Sequence, residues 1–333
     1  MKIKQQGFSL VELMIAMVLG LLVLGGVIGV FIANQATSRA NMALSELQNT
    51  ARLSFQLMSQ DIRNAGFSGC NNSMQIANAI AIAGVRPDWV QWNSALGTGN
   101  GFGLLGLAAP TPINGLAPTP GTQALRVMFA AGNSNTISDY DGSKFILNAN
   151  SVVPAGSLAI ACDENMASIF QVTTAVGDEI THTATGLNAD ANLDFVFEDE
   201  WAPGAAGPRD FTNNAMLMRF ESIAWFVAPS RDDEAVNSLY RASIIGDRQV
   251  NEEVLFGVAD LQLLYLNGVS GNFETAAAVT AANNWGRVIA VNVTVQLDNA
   301  VLQGLEVPEN VRNISFLVAL RNRIGGNGAQ AIF

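Results

Sequence analysis

An uninterrupted apolar run near the N-terminus constrains this chain more than any other feature. The 21 residues from Leu13 to Ala33 are drawn only from Leu, Ile, Val, Met, Ala, Phe and Gly. As an α-helix, which rises about 1.5 Å per residue, they would cover the hydrocarbon core of a bilayer, which is roughly 30 Å thick. The run therefore predicts a transmembrane helix over residues 13–33.

One carboxylate, Glu12, lies at the start of this apolar stretch. On insertion scales a carboxylate in a membrane helix costs roughly 2.5 to 3.5 kcal/mol, so it is expected to have a partner and a function. Lys2 and Lys4 precede it, and the positive-inside rule places the N-terminus in the cytoplasm and the large domain outside. Cleavage after Gly7 would leave a new amine on Phe8, four helical positions from Glu12, a spacing at which groups on one helix face meet.

The segment Gly7-Phe8-Ser9-Leu10-Val11-Glu12-Leu13-Met14 resembles the class III signal of type IV pilins and of the pseudopilins of type II secretion. In that family a prepilin peptidase cuts after the glycine, here Gly7, and N-methylates the next residue, here Phe8. The carboxylate that matches Glu12 pairs with the amine of a neighbouring subunit during filament assembly. The chain departs from the family pattern at Gln6, where a basic residue is common.

Two simpler interpretations of the N-terminus stay open. A secretory signal peptide has a shorter apolar core and ends at a small-residue cleavage site, whereas this run continues into Asn34 and Gln35 without such a site. A plain membrane anchor, with Glu12 extended to the cytoplasmic interface, explains the hydrophobicity. It does not explain the Gly-Phe-Ser-Leu-Val-Glu string.

A second, amphipathic pattern follows the apolar run and extends the predicted helix. Its apolar stripe has members three and four residues apart: Leu44, Leu47, Ala51, Phe55, Met58 and Ile62. Charged residues fall outside this stripe: Arg39, Glu46, Arg52, Asp61 and Arg63. Gly66 predicts the end of the helix, and a single helix from Phe8 to Asn64 would be roughly 85 Å long. We expect its outer half to pack on the chain's own globular domain.

Four glycines lie in the apolar half of this helix: Gly20, Gly25, Gly26 and Gly29. Gly25 and Gly29 have the small-xxx-small spacing that lets two helices approach closely, which predicts a helix–helix contact there. Glycine is also common in membrane helices that have no such contact, and this alternative stays open. Proline is absent from the stretch, so any local unwinding would depend on the glycines.

The net charge bears on the ligands of the chain, and its two cysteines bear on its covalent structure. The 333 residues carry a formal net charge of −11, which argues against nucleic acid as a ligand. In an oxidising extracytoplasmic compartment, Cys70 and Cys162 are expected to form a disulfide between the segment after the helix and the β-domain. Two unpaired thiols too far apart to join are the alternative.

The sequence after the helix predicts first loops and then strands. Residues 67–123 form a loop-rich connecting region, with a Gly-, Pro- and Thr-rich stretch from Asn93 to Gln123. Beyond it, apolar alternation and β-branched residues predict the following strands: Ala124–Phe129, Ser157–Cys162, Ser168–Thr174, Met216–Ala228, Leu261–Leu266, Arg287–Leu297 and Asn313–Arg321.

The predicted fold class is α+β. A long N-terminal helix, transmembrane and then amphipathic, packs on a C-terminal antiparallel β-sheet domain, as in pilins. The predicted organisation is a leader peptide at 1–7, the long helix at 8–66, the connecting region at 67–123 and a β-rich globular domain at 124–333.

Other motifs give weaker signals. Gly101–Gly106 matches G-x-G-x-x-G but is expected to be a loop, since no strand precedes it and Pro110 follows. Asp139–Gly142 and Asp190–Asp194 could bind a cation, although a turn is preferred for both. The chain has one histidine, His182, expected to be an exposed strand residue, which leaves no His cluster for a metal and disfavours a catalytic triad. Arg321 and Arg323 are expected to be solvated. We predict neither an enzyme nor a cofactor.

Three distal segments resemble PilW-type minor pilins. They are Cys162-Asp163 with Ala167–Thr173, Phe256–Tyr265, and Leu320–Arg323. This resemblance implies a low-abundance subunit that primes pilus assembly with other minor pilins and supports motility and adhesion. Its partners would be the prepilin peptidase, other minor and major pilins through their N-terminal helices, and the assembly machinery of the bacterial inner membrane. The domain would be periplasmic until assembly into the pilus.

Two alternative functions remain open. A pseudopilin of a type II secretion system shares the N-terminal features and differs in the machine that it serves. An adhesive, ligand-binding module on a pilin-like stem would use the stretch from Asn93 to Gln123 as its binding surface.

Overall fold

A computed structural model describes residues 9–70, 75–85, 87–92, 103–107, 111–164, 166–189, 191, 193, 211, 215–245, 248–299, 308 and 312–323. These residues form a long N-terminal helix followed by a domain of two β-sheets. The predicted α+β fold class, with a long apolar helix and an antiparallel-rich sheet domain, is confirmed.

Helix α1 extends from Leu10 to Asn64. Ser9 caps its start, because its side chain accepts a hydrogen bond from the backbone nitrogen of Val11. The helix contains no proline, and leucine, a good helix former, is the commonest residue of its first half. Gly66 follows the helix at φ +79°, a left-handed conformation that glycine adopts without strain and that turns the chain away from the helix axis.

The strands and the second helix of the domain follow in chain order. They are β1 (Gln75–Asn78), β2 (Leu104–Leu107), β3 (Ala124–Tyr140), β4 (Lys144–Leu147), β5 (Leu158–Cys162), β6 (Met166–Gln171), β7 (Thr174–Val176), β8 (Glu179–Thr181), β9 (Met216–Pro229), β10 (Asn237–Ile245), β11 (Arg248–Phe256), β12 (Val258–Asn267), β13 (Phe273–Glu274), α2 (Ala276–Ala281), β14 (Val288–Leu297) and β15 (Asn313–Ala319).

The strands form a larger and a smaller sheet. In the described part of the chain the larger sheet has the order β1-β6-β5-β9-β3-β4-β8-β7, with β2 beside β3 and with β10 between β9 and β11. The smaller sheet has the order β13-β12-β14-β15. The pairing of β1 with β6 is parallel, and the other described strand pairs are antiparallel.

The main hydrophobic core joins both sheets to the end of α1. Met58 and Ile62 of α1 are fully buried there, together with Trp225 of β9, Tyr265 of β12 and Val291 of β14. Full burial of a large apolar side chain contributes about 1.5 to 3 kcal/mol relative to its exposure. The end of the helix is therefore an integral part of the domain core.

Each predicted strand overlaps an observed one, with one notable extension, whereas β4, β8, β10, β11 and β13 were not predicted. The strand predicted at Ala124–Phe129 is much longer, because β3 continues to Tyr140 through a register shift in its pairing with β9 between Ala131 and Asn135. The region 67–123, predicted to be rich in loops, also contains β1 and β2. The G-x-G-x-x-G motif at Gly101–Gly106 was expected to be a loop. Its residues 101 and 102 lie outside the described residues, but its last three residues belong to strand β2 (Leu104–Leu107), so that expectation is wrong there.

The proline-rich segment packs along the domain where the structure describes it, at residues 111–123. The Asn114 side chain donates a hydrogen bond to the carbonyl of Ser243, 3.2 Å away. The backbone nitrogen of Gln123 donates to the carbonyl of Leu261 at 3.1 Å. This part of the segment is thus hydrogen-bonded to the strands, with Ile113 and Thr122 buried.

His182 is buried, so the prediction that it is an exposed strand residue is wrong. Its ring is 1% exposed and its Nε2 lies 2.9 Å from the Tyr140 hydroxyl. The rings of Phe145 and Phe170 are 5.5 and 5.2 Å from it. These aromatic residues come from three separate strands, so a local sequence pattern does not reveal the cluster. Burial lowers the pKa of His182 to about 4.

The other weak motifs are turns or contacts. Asp141 Oδ1 accepts hydrogen bonds from the backbone nitrogens of Ser143 and Lys144, which makes the predicted turn and lowers the pKa of Asp141. Arg323 was expected to be solvated, but its Nη1 donates to the carbonyl of Val288 at 3.0 Å. Arg321 is exposed. Most of the Asp190–Asp194 motif lies outside the described residues.

Candidate functional site

Glu12 takes part in a capping box at the start of α1. The backbone nitrogen of Ser9 donates to Glu12 Oε2 at 3.3 Å, and Val11 donates to the Ser9 hydroxyl at the same distance. The box satisfies backbone donors at a helix start, where water is scarce if the helix lies in a bilayer. Both hydrogen bonds are slightly longer than is usual for N–H···O bonds. The cleavage-site residues Gly7 and Phe8 lie outside the described residues.

The apolar half of α1 is not covered by the rest of the protein. Its large hydrophobic side chains from Leu10 to Ile32 are 53–76% exposed. In the part of the chain that the structure describes, α1 is the helix with the length and composition to cross a membrane, and none of its most apolar window is buried. Since an apolar surface of this size is unfavourable in water, lipid or other helices must cover it.

The stem glycines lie on this uncovered surface. At Gly20, Gly25, Gly26 and Gly29, an added Cβ atom would meet no other atom within 4 Å. The single chain therefore gives these glycines no packing role. The spacing of Gly25 and Gly29 leaves room for a second helix to approach, but the structure of one chain does not place a helix there.

The face through which the outer half of α1 packs on the domain overlaps the predicted stripe only in part, because Met58 and Ile62 of the stripe are fully buried. Leu44 is 53% exposed and Phe55 is 37% exposed, although both belong to that stripe. Other buried positions carry polar or small side chains: Ala43, Thr50, Ser54, Ser59, Asp61 and Ala65. Small side chains let the helix approach the sheets closely, so steric fit decides the buried face as much as hydrophobicity does.

Asp61, which the apolar pattern placed outside the buried stripe, anchors the stem to the domain. Its Oδ2 accepts hydrogen bonds from Trp225 Nε1 at 3.0 Å and from Arg241 Nε at 2.9 Å. Arg241 Nη2 lies 3.3 Å from Oδ1, which completes a bidentate ion pair. Hydrogen bonding to Asp61 raises the pKa of Arg241 despite the opposing effect of burial. Sequence patterns did not identify this contact, because the partners are 164 and 180 residues apart.

Further contacts hold the end of the helix against β15. The rings of Phe55 and Phe316 meet edge to face, with centroids 5.4 Å apart. The side-chain nitrogen of Asn322 lies 3.4 Å from the carbonyl of Asn64, which also accepts a hydrogen bond from the backbone nitrogen of Phe67. Chain segments from both ends of the sequence therefore fix the direction in which the stem leaves the domain.

A disulfide joins Cys70, six residues after the end of α1, to Cys162 at the end of β5. The Cα atoms are 6.0 Å apart and the cysteines are separated by 92 positions in the sequence. Cys162 is fully buried in a second hydrophobic cluster with Met128 and Phe220. The bond ties the segment that follows the stem to the larger sheet.

These features together describe an element suited to assembly. The stem is fixed to the domain at one end and exposes an apolar surface with a carboxylate at the other. Among the described residues there is no group of His, Cys, Asp and Glu that could hold a metal ion. The arrangement is suited to insertion in a membrane and to packing against like helices.

Comparison with known proteins supports this description. The family model for the prokaryotic N-terminal methylation motif matches residues 2–28, which include Glu12 and the first part of α1. A comparison with curated proteins finds no match. The matched motif supports a type IV pilin-like protein, a subunit of a pilus or of a pseudopilus, that is a substrate of prepilin peptidase and is anchored in a membrane by its N-terminal helix.

Proposed function

We propose that this chain is a minor pilin, a structural subunit that takes part in the priming of type IV pilus assembly. The observation that carries the proposal is the uncovered apolar stem, with Glu12 at its start and the methylation motif across it. A stem of this kind needs other helices once it leaves the lipid, and the packed helices of a filament core supply them.

The proposed division of the chain follows from this function. Residues 1–7 are a leader, residues 8–66 are the stem with its membrane span at 13–33, and residues 67–123 connect the stem to the β-rich domain at 124–333. Lys2 and Lys4 keep the leader in the cytoplasm, so that the domain is periplasmic before assembly. Prepilin peptidase cuts after Gly7 and N-methylates Phe8.

Glu12 then guides the subunit into the filament. The capping bond from Ser9 is 3.3 Å long, whereas a carboxylate bound to a charged amine forms a shorter and stronger hydrogen bond. In the membrane this difference increases, because the low dielectric strengthens the attraction between the two charges. Glu12 would thus exchange its capping role for an ion pair with the N-terminal amine of a neighbouring pilin.

The large domain favours a minor subunit over a major one. It contains two sheets and a disulfide-tied connection, and its distal segments resemble PilW-type minor pilins. Its partners would be other minor and major pilins and the assembly machinery of the inner membrane, with motility and adhesion as the processes that it supports.

Substitution of Glu12 tests this function. Glu12→Ala should leave the protein processed and membrane-bound but strongly reduce its incorporation into filaments sheared from cells. Glu12→Gln retains a hydrogen-bonding side chain without the charge and should fail similarly. Normal incorporation of both variants would contradict the proposed role of the carboxylate.

A pseudopilin of a type II secretion system is the second candidate, because the methylation motif fits either machine. Deletion of the gene separates the two. Loss of twitching motility with normal protein secretion supports the minor pilin, and loss of secretion with normal motility supports the pseudopilin.

A further inference from the structure

A buried arginine on the outer face of the larger sheet lacks a hydrogen-bond partner among the residues that the structure describes. Arg126 of β3 is 6% exposed, and its Nε is buried without a hydrogen bond. Within the described residues its guanidinium makes no ion pair either. Because arginine remains charged at neutral pH, burial of a guanidinium nitrogen without a hydrogen bond is unfavourable. Burial lowers the pKa of Arg126 to about 10, and the exposed Asp88 opposes this effect only in part.

A second buried donor lies beside Arg126. The register of β3 with β9 places Arg126 opposite Ala224 and Met128 opposite Ser222. Side chains two residues apart on a strand share a face, so Ser222 is the diagonal neighbour of Arg126. The hydroxyl of Ser222 is buried and, in the part of the chain that is described, has no hydrogen-bond partner.

A third donor, the indole nitrogen of Trp92, reaches the same face. The Trp92 ring packs against Phe220, which lies two residues before Ser222 on β9, with ring centroids 6.2 Å apart. Trp92 Nε1 is also buried, with no hydrogen-bond partner among the described residues. Buried polar groups are rarely left unpaired, so three unpaired donors on one face of the larger sheet call for an acceptor there.

The chemistry of these groups identifies the acceptor. A guanidinium offers two parallel N–H groups, and the indole and the hydroxyl each offer one further donor. A carboxylate has two oxygens that accept about four hydrogen bonds, and it matches the guanidinium fork. We propose that Arg126, Ser222 and Trp92 form a binding site for a carboxylate group.

The carboxylate does not come from the neighbouring sequence. The chain has no Asp or Glu between Asp88 and Asp139, so the segment that leads into β3 cannot supply one. Among the described residues no acid of this chain forms an ion pair with Arg126, and we take the source to be either a free carboxylic acid or an acidic side chain or C-terminus of an adjacent subunit. Arg126 keeps 6% of its surface exposed, which leaves a route to the guanidinium from solvent.

Acetate tests the site on the full chain in detergent. Thermal unfolding is measured while acetate replaces chloride at constant ionic strength. The wild type should show a saturable rise in Tm of about 2 to 5 °C, and Arg126→Met should show none. Arg248→Met, which removes an exposed arginine, should respond like the wild type. An equal response of wild type and Arg126→Met, or no response of the wild type beyond that in chloride, would overturn the proposal.

Two further measurements distinguish the loss of acetate binding from the poor folding of a variant. Without acetate, Arg126→Met should have a higher Tm than the wild type, because an apolar side chain replaces an unpaired buried charge. Trp92→Phe keeps the ring contact with Phe220 and removes one donor, so it should fold normally and bind acetate more weakly. An unchanged acetate response in Trp92→Phe would contradict the assigned donor set.

A photo-crosslinker at Asp88 distinguishes the two sources. Asp88 is exposed and close enough to act electrostatically on Arg126, so p-benzoylphenylalanine there samples the opening of the site. A protein adduct in cells that is lost with Arg126→Met identifies a subunit carboxylate. An acetate response without any such adduct identifies a free acid.

Discussion

Removal of the Cys70–Cys162 disulfide should destabilise the domain strongly. The perturbation is the double variant Cys70→Ser with Cys162→Ala, since Cys70 is exposed and Cys162 is fully buried in an apolar cluster. The bond links residues separated by 92 positions. A crosslink over a loop of that length lowers the chain entropy of the unfolded state by about 16 cal/mol/K in the loop-closure model, or about 4 to 5 kcal/mol at 25 °C.

Urea unfolding of the full chain in detergent measures this loss. Tryptophan fluorescence reports on the core, because Trp225 and Trp285 are both buried within it. The wild type reduced with a phosphine is the matched control, since it lacks the crosslink but keeps both cysteine side chains. Reduced wild type and double variant should each lose about 4 kcal/mol, and the variant slightly more because it also loses the buried sulfur.

The two losses together test the reasoning. A loss below about 1 kcal/mol in both samples would mean that the crosslink does not limit the unfolded chain in the way that its loop length implies. A large loss in the double variant with little loss in the reduced wild type would assign the stabilisation to packing of Cys162 in its cluster.

Three other substitutions have predicted outcomes. Asp61→Asn should lower the free energy of unfolding by about 3 kcal/mol, because it leaves Arg241 partly buried without its counter-charge; urea titration measures the loss. His182 has a pKa of about 4 in the fold against 6.5 when unfolded, so the unfolded state binds an extra proton between these pH values. The free energy of unfolding therefore falls as the pH drops through this range, by about 3 kcal/mol in full. His182→Gln should lose this part of the acid sensitivity, which unfolding titrations at pH 4 to 7 measure. Leucine at Gly25 and Gly29 should reduce incorporation into filaments while the unfolding midpoint stays unchanged, because a side chain there meets nothing in the single chain.

Matched variants serve as controls for these predictions. Glu221→Gln removes the partner of the half-exposed Arg219, and the loss should stay below about 1 kcal/mol. A loss as large as that of Asp61→Asn would contradict the importance of burial. Gly20→Leu, outside the Gly25 and Gly29 spacing, should assemble normally. Equal acid sensitivity of wild type and His182→Gln would place the effect on other groups.

The long helix and most of the core strands could be predicted because hydropathy and residue spacing are local properties. The apolar run from Leu13 to Ala33, and alternation such as that of β14, are visible in a short window of sequence. The methylation motif is likewise contiguous, and Glu12 stands out because a charge is unexpected beside such a run.

The contacts that fix the stem could not be predicted, because they depend on distant parts of the chain. Asp61 looks like a solvated charge until Trp225 and Arg241 approach it from two strands of the larger sheet. His182 looks like a strand residue until aromatic rings from other strands surround it. The outer strands β10 and β11 were missed because their many polar residues hide the apolar alternation.

The intact mass and N-terminal sequence of the protein from its native membrane test the pilin assignment most directly. Processing after Gly7 predicts a chain that begins at N-methylated Phe8, with the mass of residues 8–333 plus one methyl group. A chain that still begins at Met1 in cells with active prepilin peptidase would contradict the assignment and leave a membrane anchor with a β-rich domain.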